Sequence, residues 1–254
     1  MRTLYQFPLS HFCEKARWML DHKELEYAAH NLTPGFHRAF AKLKTGQYKL
    51  PILLDGEQWI ADSTQIAFFL DQKYPEHALI FSDLELRNKV LQINNLANDL
   101  GRHVRRWGLS ELLKNNDQSL DILIGEKGYL RQFEKYSKPL IKALVSKGYG
   151  LKTNEVYHSK EKLDQTIEQL NQILIENKAR YLVGDRLSLA DIAICSMLAP
   201  LLIIENTPWE QEQTTNLSQQ FLDYKQQLEN LPLGQYVLRI YATERNARVD
   251  WRGI

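Results

Sequence analysis

Residues 188–204, SLADIAICSMLAPLLII, are apolar on nearly every side. A helix that is hydrophobic all round has to be covered all round, so this segment belongs in the middle of a helical bundle. Its start is marked by Gly184-Asp-Arg-Leu-Ser188-Leu-Ala-Asp191. That is a capping box in its aspartate form. Ser188 caps the N–H three residues on, and Asp191 returns a bond to the cap's own N–H. Both residues read as structural, and Cys195 within the segment reads as core.

The C-terminal part of the chain carries the same 3.6-residue period. Apolar positions recur through 84–113 at Val90, Leu91, Ile93, Leu96 and Leu100, and helices follow at 130–145, 157–175, 221–228 and 235–244. Segments 108–127 and 147–155 are polar and contain Gly or Asn, so loops or short helices are expected there. The first eighty residues behave differently, switching between strand and helix periods. Strands are expected at 3–7 and 25–32, with helices at 12–22, 35–44 and 63–74. The run 51–61 reads as a hairpin around Asp55-Gly56. The order βαβαββα implies an α/β sandwich, partly parallel and partly antiparallel, at 1–80, followed by an all-helical domain at 81–254.

Charge and composition exclude several classes of function. The 254 residues carry 32 Lys and Arg against 31 Asp and Glu, so there is no net field to hold nucleic acid or anionic lipid. The first 82 residues are balanced too, with nine of each sign. No apolar run approaches the roughly 20 residues that span a bilayer. The first residues enter a strand pattern without the apolar core of a signal peptide. Cys13 and Cys195 are too few for a disulfide framework or a zinc site, so no metal and a reducing, cytoplasmic compartment are expected.

Three junctions in the α/β segment carry chemistry. At the first, Phe7-Pro-Leu-Ser10-His-Phe-Cys13 runs from a strand into a helix, where unpaired N–H groups and the helix dipole stabilise an anion such as a thiolate. Ser10 and Cys13 have C-x-x-C spacing with serine in the nucleophilic place. Cys13 reads either as a first-turn thiol of lowered pKa or as a buried small hydrophobe. At the second junction, Leu50-Pro51 opens a strand. On spacing alone the bond reads as trans, and a cis bond would turn the Leu50 backbone toward an extended peptide ligand. At the third, Asp62-Ser63 reads as a helix cap, or as a cap that also binds a ligand carboxylate.

Taken in order and spacing, these junctions and the Ser188–Asp191 box resemble the glutathione transferase superfamily over most of the chain. The resemblance implies a thioredoxin-like, glutathione-binding domain at 1–80 and a helical domain at 81–254 that supplies the electrophile pocket. It implies a cytosolic homodimer conjugating glutathione to small electrophiles in detoxification, with glutathione as co-substrate and no permanently bound cofactor. Carried over by position, Ser10 matches the residue that activates the glutathione sulfur. Leu50 matches the residue before the cis-proline, here Pro51, and pairs with the cysteinyl backbone. Asp62 and Ser63 match the pair that holds the γ-glutamyl end. Lys49 is the candidate for the glycyl carboxylate, with Lys42 and His37 behind it.

Many family members activate sulfur with a tyrosine at the end of the first strand. Gln6 occupies that place, and Tyr5 points to the opposite face, which favours a serine-type enzyme. The alternatives are a glutathione-dependent thiol transferase working through Cys13, and a non-catalytic interaction protein that keeps the scaffold. In Arg102-His-Val-Arg105-Arg106-Trp107, Arg102, Arg106 and Trp107 are candidates for the electrophile pocket. The competing reading is a solvated or interfacial charge run with Trp107 in the core. Two stretches exceed the family's usual length: 108–155, and a C-terminal tail expected to pack back through Trp251.

Overall fold

The computed structural model describes residues 1–33, 35–115, 134–177, 179–210 and 217–253. The expected βαβαββα order is present. It comprises β1 (Arg2–Gln6), α1 (His11–His22), β2 (Ala28–Asn31), α2 (Phe36–Thr45), β3 (Ile52–Asp55), β4 (Gln58–Ala61) and α3 (Ser63–Lys73). The sheet order is β2-β1-β3-β4. β1 is parallel to β2, with Leu4 beside Ala29, and antiparallel to β3, with Leu4 beside Leu53. The β3–β4 turn is centred on Gly56-Glu57, since Asp55 still pairs with Gln58, and Gly56 takes the positive φ of 64° that such a turn needs.

The helical region comprises α4 (Leu84–Asn115), α5 (Glu134–Tyr149), α6 (Thr153–Asn177), α7 (Leu189–Leu202), α8 (Gln219–Asn230) and α9 (Pro232–Glu244). Every residue of α7 is buried, as its sequence requires. It packs against α1, α4, α8 and α9, so it joins the sheet layer to the bundle. The Ser188–Asp191 box closes at its N-terminus. The Asp191 carboxylate accepts from Ser188 N (2.8 Å), Ser188 Oγ (2.8 Å), Leu182 N (2.8 Å) and the Tyr236 hydroxyl. Burial pushes this carboxyl up by more than the four donors pull it down. Asp191 therefore ties α7 to α9 as well as capping it.

Two loop expectations change. Residues 108–115 continue α4, because Trp107, Leu112 and Leu113 keep the helical apolar stripe buried across the polar positions. The rest of 108–127 and the start expected at 130 lie outside the described residues, as does Pro34. Of 147–155, only Gly150–Lys152 interrupts the helices.

The tail packs back, and Trp251 is buried. Arg245 Nε meets Glu14 Oε1 (2.8 Å) and its Nη1 meets Asp21 Oδ2 (2.7 Å), both on α1. The Trp251 carbonyl accepts from Gln6 Nε2 (3.0 Å). At Gly253 a Cβ would stand 2.7 Å from the Ala29 carbonyl, so the chain approaches β2 more closely than any side chain allows. No helix among the described residues is long and apolar enough to cross a membrane.

Candidate active site

Ser10 caps α1 in extended backbone geometry, with its N–H bonded to the Phe7 carbonyl (3.1 Å). Its Oγ accepts from Cys13 N at 3.4 Å, a long contact, while that N–H also reaches Ser10 O at 2.9 Å. The hydroxyl stands at the positive end of a twelve-residue helix, beside the buried Cys13 thiol. The His11 and Phe12 N–H groups beside it have no hydrogen-bond partner among the described residues. Ser10 is half-buried, so a ligand can reach it.

Cys13 departs from the reading as a reactive first-turn thiol. It is fully buried, and burial pushes its thiol up by more than the Ser10 hydroxyl, the Phe7 N–H and Arg17 pull it down. The helix turns its side chain inward beneath Ser10, out of reach of a substrate. Cys195 is likewise buried and its thiol is raised further.

The Leu50–Pro51 bond is cis, against the trans reading from spacing. Leu50 stands just outside the β1–β3 ladder, and its N–H and C=O form no hydrogen bond among the described residues. Asp62 caps α3, accepting from Thr64 N (2.8 Å) and Gln65 N (3.3 Å). It does so at φ 74° and ψ 131°, backbone that a non-glycine residue rarely adopts and that concentrates at ligand sites. Ser63, the first residue of that helix, keeps its hydroxyl and N–H free of partners among the described residues.

Beneath Asp62 lies a buried polar node. Lys15 Nζ donates to Asn94 Oδ1 (2.5 Å) and Asn98 Oδ1 (3.1 Å), and both amides donate to Thr64 Oγ1 at 3.2 Å. Burial lowers the Lys15 ammonium to about 7, against the pull of Asp62. The node ties α1, α3 and α4 together under the Asp62 turn.

Lys49 is exposed, with its backbone held by the Gln47 side chain at 2.7 and 2.5 Å and its ammonium unpaired among the described residues. The weaker candidates are engaged elsewhere. Lys42 donates to the Gly46 carbonyl (3.1 Å), and His37 accepts from Gly35 N (3.1 Å) while its ring meets Phe7. Tyr5 turns away from this site, its ring 4.7 Å from Phe40 and 5.5 Å from Trp59. Gln6 points to the other face, where it bonds to Arg17 and to the tail.

The three residues expected in an electrophile pocket are engaged in contacts of their own. Trp107 is buried, stacked on Phe221 at 5.6 Å and 7°. Arg102 is exposed and pairs with Asp99 (2.9 Å). Arg106 bonds to the Tyr149 carbonyl (3.1 Å), Ser159 Oγ (2.9 Å) and Glu155 (3.5 Å). The reason is helical phase. His11 Nε2–H donates to the Gly101 carbonyl (2.9 Å), which fixes the face of α4 that meets the start of α1. One turn along that face stands Arg105, not Arg102 or Arg106. Its guanidinium lies 5.8 Å from the Phe12 ring centre and 4.5 Å from that of Tyr149.

His11 itself is held neutral, lowered to about 3 by burial and by Arg105. Gly101 is needed at the contact, because a Cβ there would stand 2.3 Å from Met197 Sδ and 3.1 Å from His11 Nε2. A cavity of about 960 Å³ between the ends of α7, α8 and α9 is lined by none of these junction residues.

Comparison with known proteins bears on the family and the fold. Residues 4–78 match the family model of the glutathione S-transferase N-terminal domain, and residues 129–233 match that of the C-terminal domain. A glutathione S-transferase of Triticum aestivum is 27% identical over 123 residues, 47% of this chain and 57% of that protein. Glutathione S-transferase 1 of Dianthus caryophyllus is 29% identical over 80% of this chain and 77% of its own length. The fold is similar to that of glutathione transferase GSTFuA3 from Phanerochaete chrysosporium, with a TM-score of 0.66 at 18% identity over 98% of both chains. A glutathione S-transferase from Methylobacterium radiotolerans, crystallised with glutathione sulfonate, has a TM-score of 0.56 at 18% identity over 93% of this chain and 94% of that one. With its α/β unit, its helical bundle and both family models in order, the chain belongs to the glutathione transferase superfamily.

Proposed function

We propose that the protein is a serine-type glutathione transferase. The observation that carries the reading is the half-buried Ser10 hydroxyl at the N-terminus of α1, beside the His11 and Phe12 N–H groups that have no partner among the described residues. In this reading glutathione lies extended across the three junctions. Its cysteinyl backbone pairs with the free N–H and C=O of Leu50, ahead of Pro51, in the manner of an added strand. Its γ-glutamyl carboxylate sits at the start of α3 on Ser63, with Asp62 facing the α-amino group. Lys49 reaches the glycyl carboxylate. The sulfur then lies over Ser10, where the hydroxyl and the positive end of α1 stabilise the thiolate and lower the thiol's pKa. That thiolate attacks the carbon of an electrophile held against the helical region, and the leaving group departs with the bonding pair.

Residues 1–80 supply the glutathione site and residues 81–254 the electrophile site, and we infer a cytoplasmic homodimer acting in detoxification. A thiol transferase working through Cys13 has less support, because its sulfur is buried and its thiol raised. Turnover of an aryl halide tests the reading, with Ser10→Ala beside the unmodified protein. Removing a donor to a developing anion costs roughly a hundredfold, so a loss of kcat/KM of that order is expected. Unchanged turnover rules out the role given to Ser10. Failure of the unmodified protein to bind immobilised glutathione favours the non-catalytic alternative.

A further inference from the structure

Of the three arginines at 102, 105 and 106, two are neutralised. Arg102 pairs with Asp99 and Arg106 with Glu155. Arg105 has neither a carboxylate nor a hydrogen-bond partner among the described residues; the Tyr149 phenol favours its charge, while Arg106 and Arg102 share its sign and oppose it. It is half-buried against the faces of Phe12 and Tyr149, and both rings keep part of their surface open. A half-buried guanidinium left without a carboxylate partner presents a planar fork of donors that matches a carboxylate bidentately. The two rings beside it offer stacking surface to a planar apolar group. Phe12 is two residues beyond Ser10, so this surface borders the place where the sulfur is proposed to lie.

We propose that Arg105, between the rings of Phe12 and Tyr149, binds the anionic group of the second substrate, and that the favoured electrophiles are aromatic acids. This rests on the glutathione transferase reading and adds a substrate class to it. The test compares two non-reacting conjugates, S-(4-carboxybenzyl)glutathione and S-(4-carbamoylbenzyl)glutathione, which differ in charge and hardly in shape. Their Kd values are measured by calorimetry on the unmodified protein, on Arg105→Gln and on Arg105→Lys, with glutathione itself as the control for an intact fold.

The unmodified protein should bind the acid at least tenfold more tightly than the amide. Arg105→Gln should bring that ratio close to one, and Arg105→Lys should restore part of it. A ratio that Arg105→Gln leaves unchanged overturns the proposal. So does an equal weakening of both conjugates, which would place Arg105 on the sulfur or on the fold. Binding of glutathione with no preference for the acid defeats this inference alone. Failure to bind glutathione or either conjugate defeats the glutathione reading along with it.

Discussion

Lys15 offers a prediction that can be worked from the structure. Its ammonium is buried on α1 against two asparagine oxygens, and burial lowers it from the ordinary 10.5 to about 7. At about 1.4 kcal/mol per pH unit, that gap amounts to roughly 5 kcal/mol held against folding wherever both states are protonated. Below pH 7 both states carry the proton, so the whole cost is present. Between about pH 7 and the unfolded value the unfolded chain binds one proton more than the native protein. Stability therefore rises with pH across that window, at up to about 1.4 kcal/mol per unit from this group. Lys15→Met keeps the stem and removes the titration. Urea unfolding of both proteins from pH 7.5 to 9.5 isolates the effect, because cysteine and tyrosine titrations are common to both and cancel in the difference. The unmodified protein should gain roughly 2–3 kcal/mol on the variant over that range. Whatever Asn94 and Asn98 lose on losing their donor shifts the variant's curve without tilting it. Parallel curves would refute the claim that burial at this node lowers the ammonium.

Three further outcomes follow from packing and burial. Asp191→Ala leaves four donors without their acceptor, two of them backbone N–H groups, and should cost about 3–5 kcal/mol by denaturant titration. A loss under 1 kcal/mol would mean that the α7 cap is dispensable. Gly101→Ala forces a methyl against Met197 and His11, at a cost of about 1–3 kcal/mol that should shrink in a Met197→Ala background. Strictly additive effects would show that the sulfur is not the obstacle. Both thiols should resist an aromatic disulfide reagent in the native protein and react on unfolding. Rapid native-state labelling at Cys13 would return the thiol-transferase reading to first place.

Elements whose apolar pattern is continuous could be read directly. Residues 189–202 are apolar on all sides and come out wholly buried, with Ser188 and Asp191 closing the box that their spacing implies. Asp62 caps α3 as its residue type suggests, but its positive φ has no sequence signal outside glycine. The cis bond at Pro51 could be expected from the family resemblance but not from spacing, since strand-leading proline is accommodated in either form. Arg105 was hidden for a different reason. Choosing among three neighbouring arginines requires the phase of α4 against α1, and that is set by the His11–Gly101 contact across 90 residues of sequence. Polar residues at 108–115 suggested a loop because local composition says nothing of the core that Trp107 and Leu113 enter. Cys13 carried two readings until the direction of its side chain was known.

The central claim is that Ser10 holds the thiolate of glutathione rather than serving a thiol of the protein. Titrating the ultraviolet thiolate absorbance of bound glutathione against pH, in the unmodified protein and in Ser10→Ala, tests it most directly. Against an ordinary thiol value of about 8.5, the bound sulfur should titrate at least one unit lower in the unmodified protein and move back toward the ordinary value in Ser10→Ala. A bound thiol that titrates identically in both proteins would contradict the account.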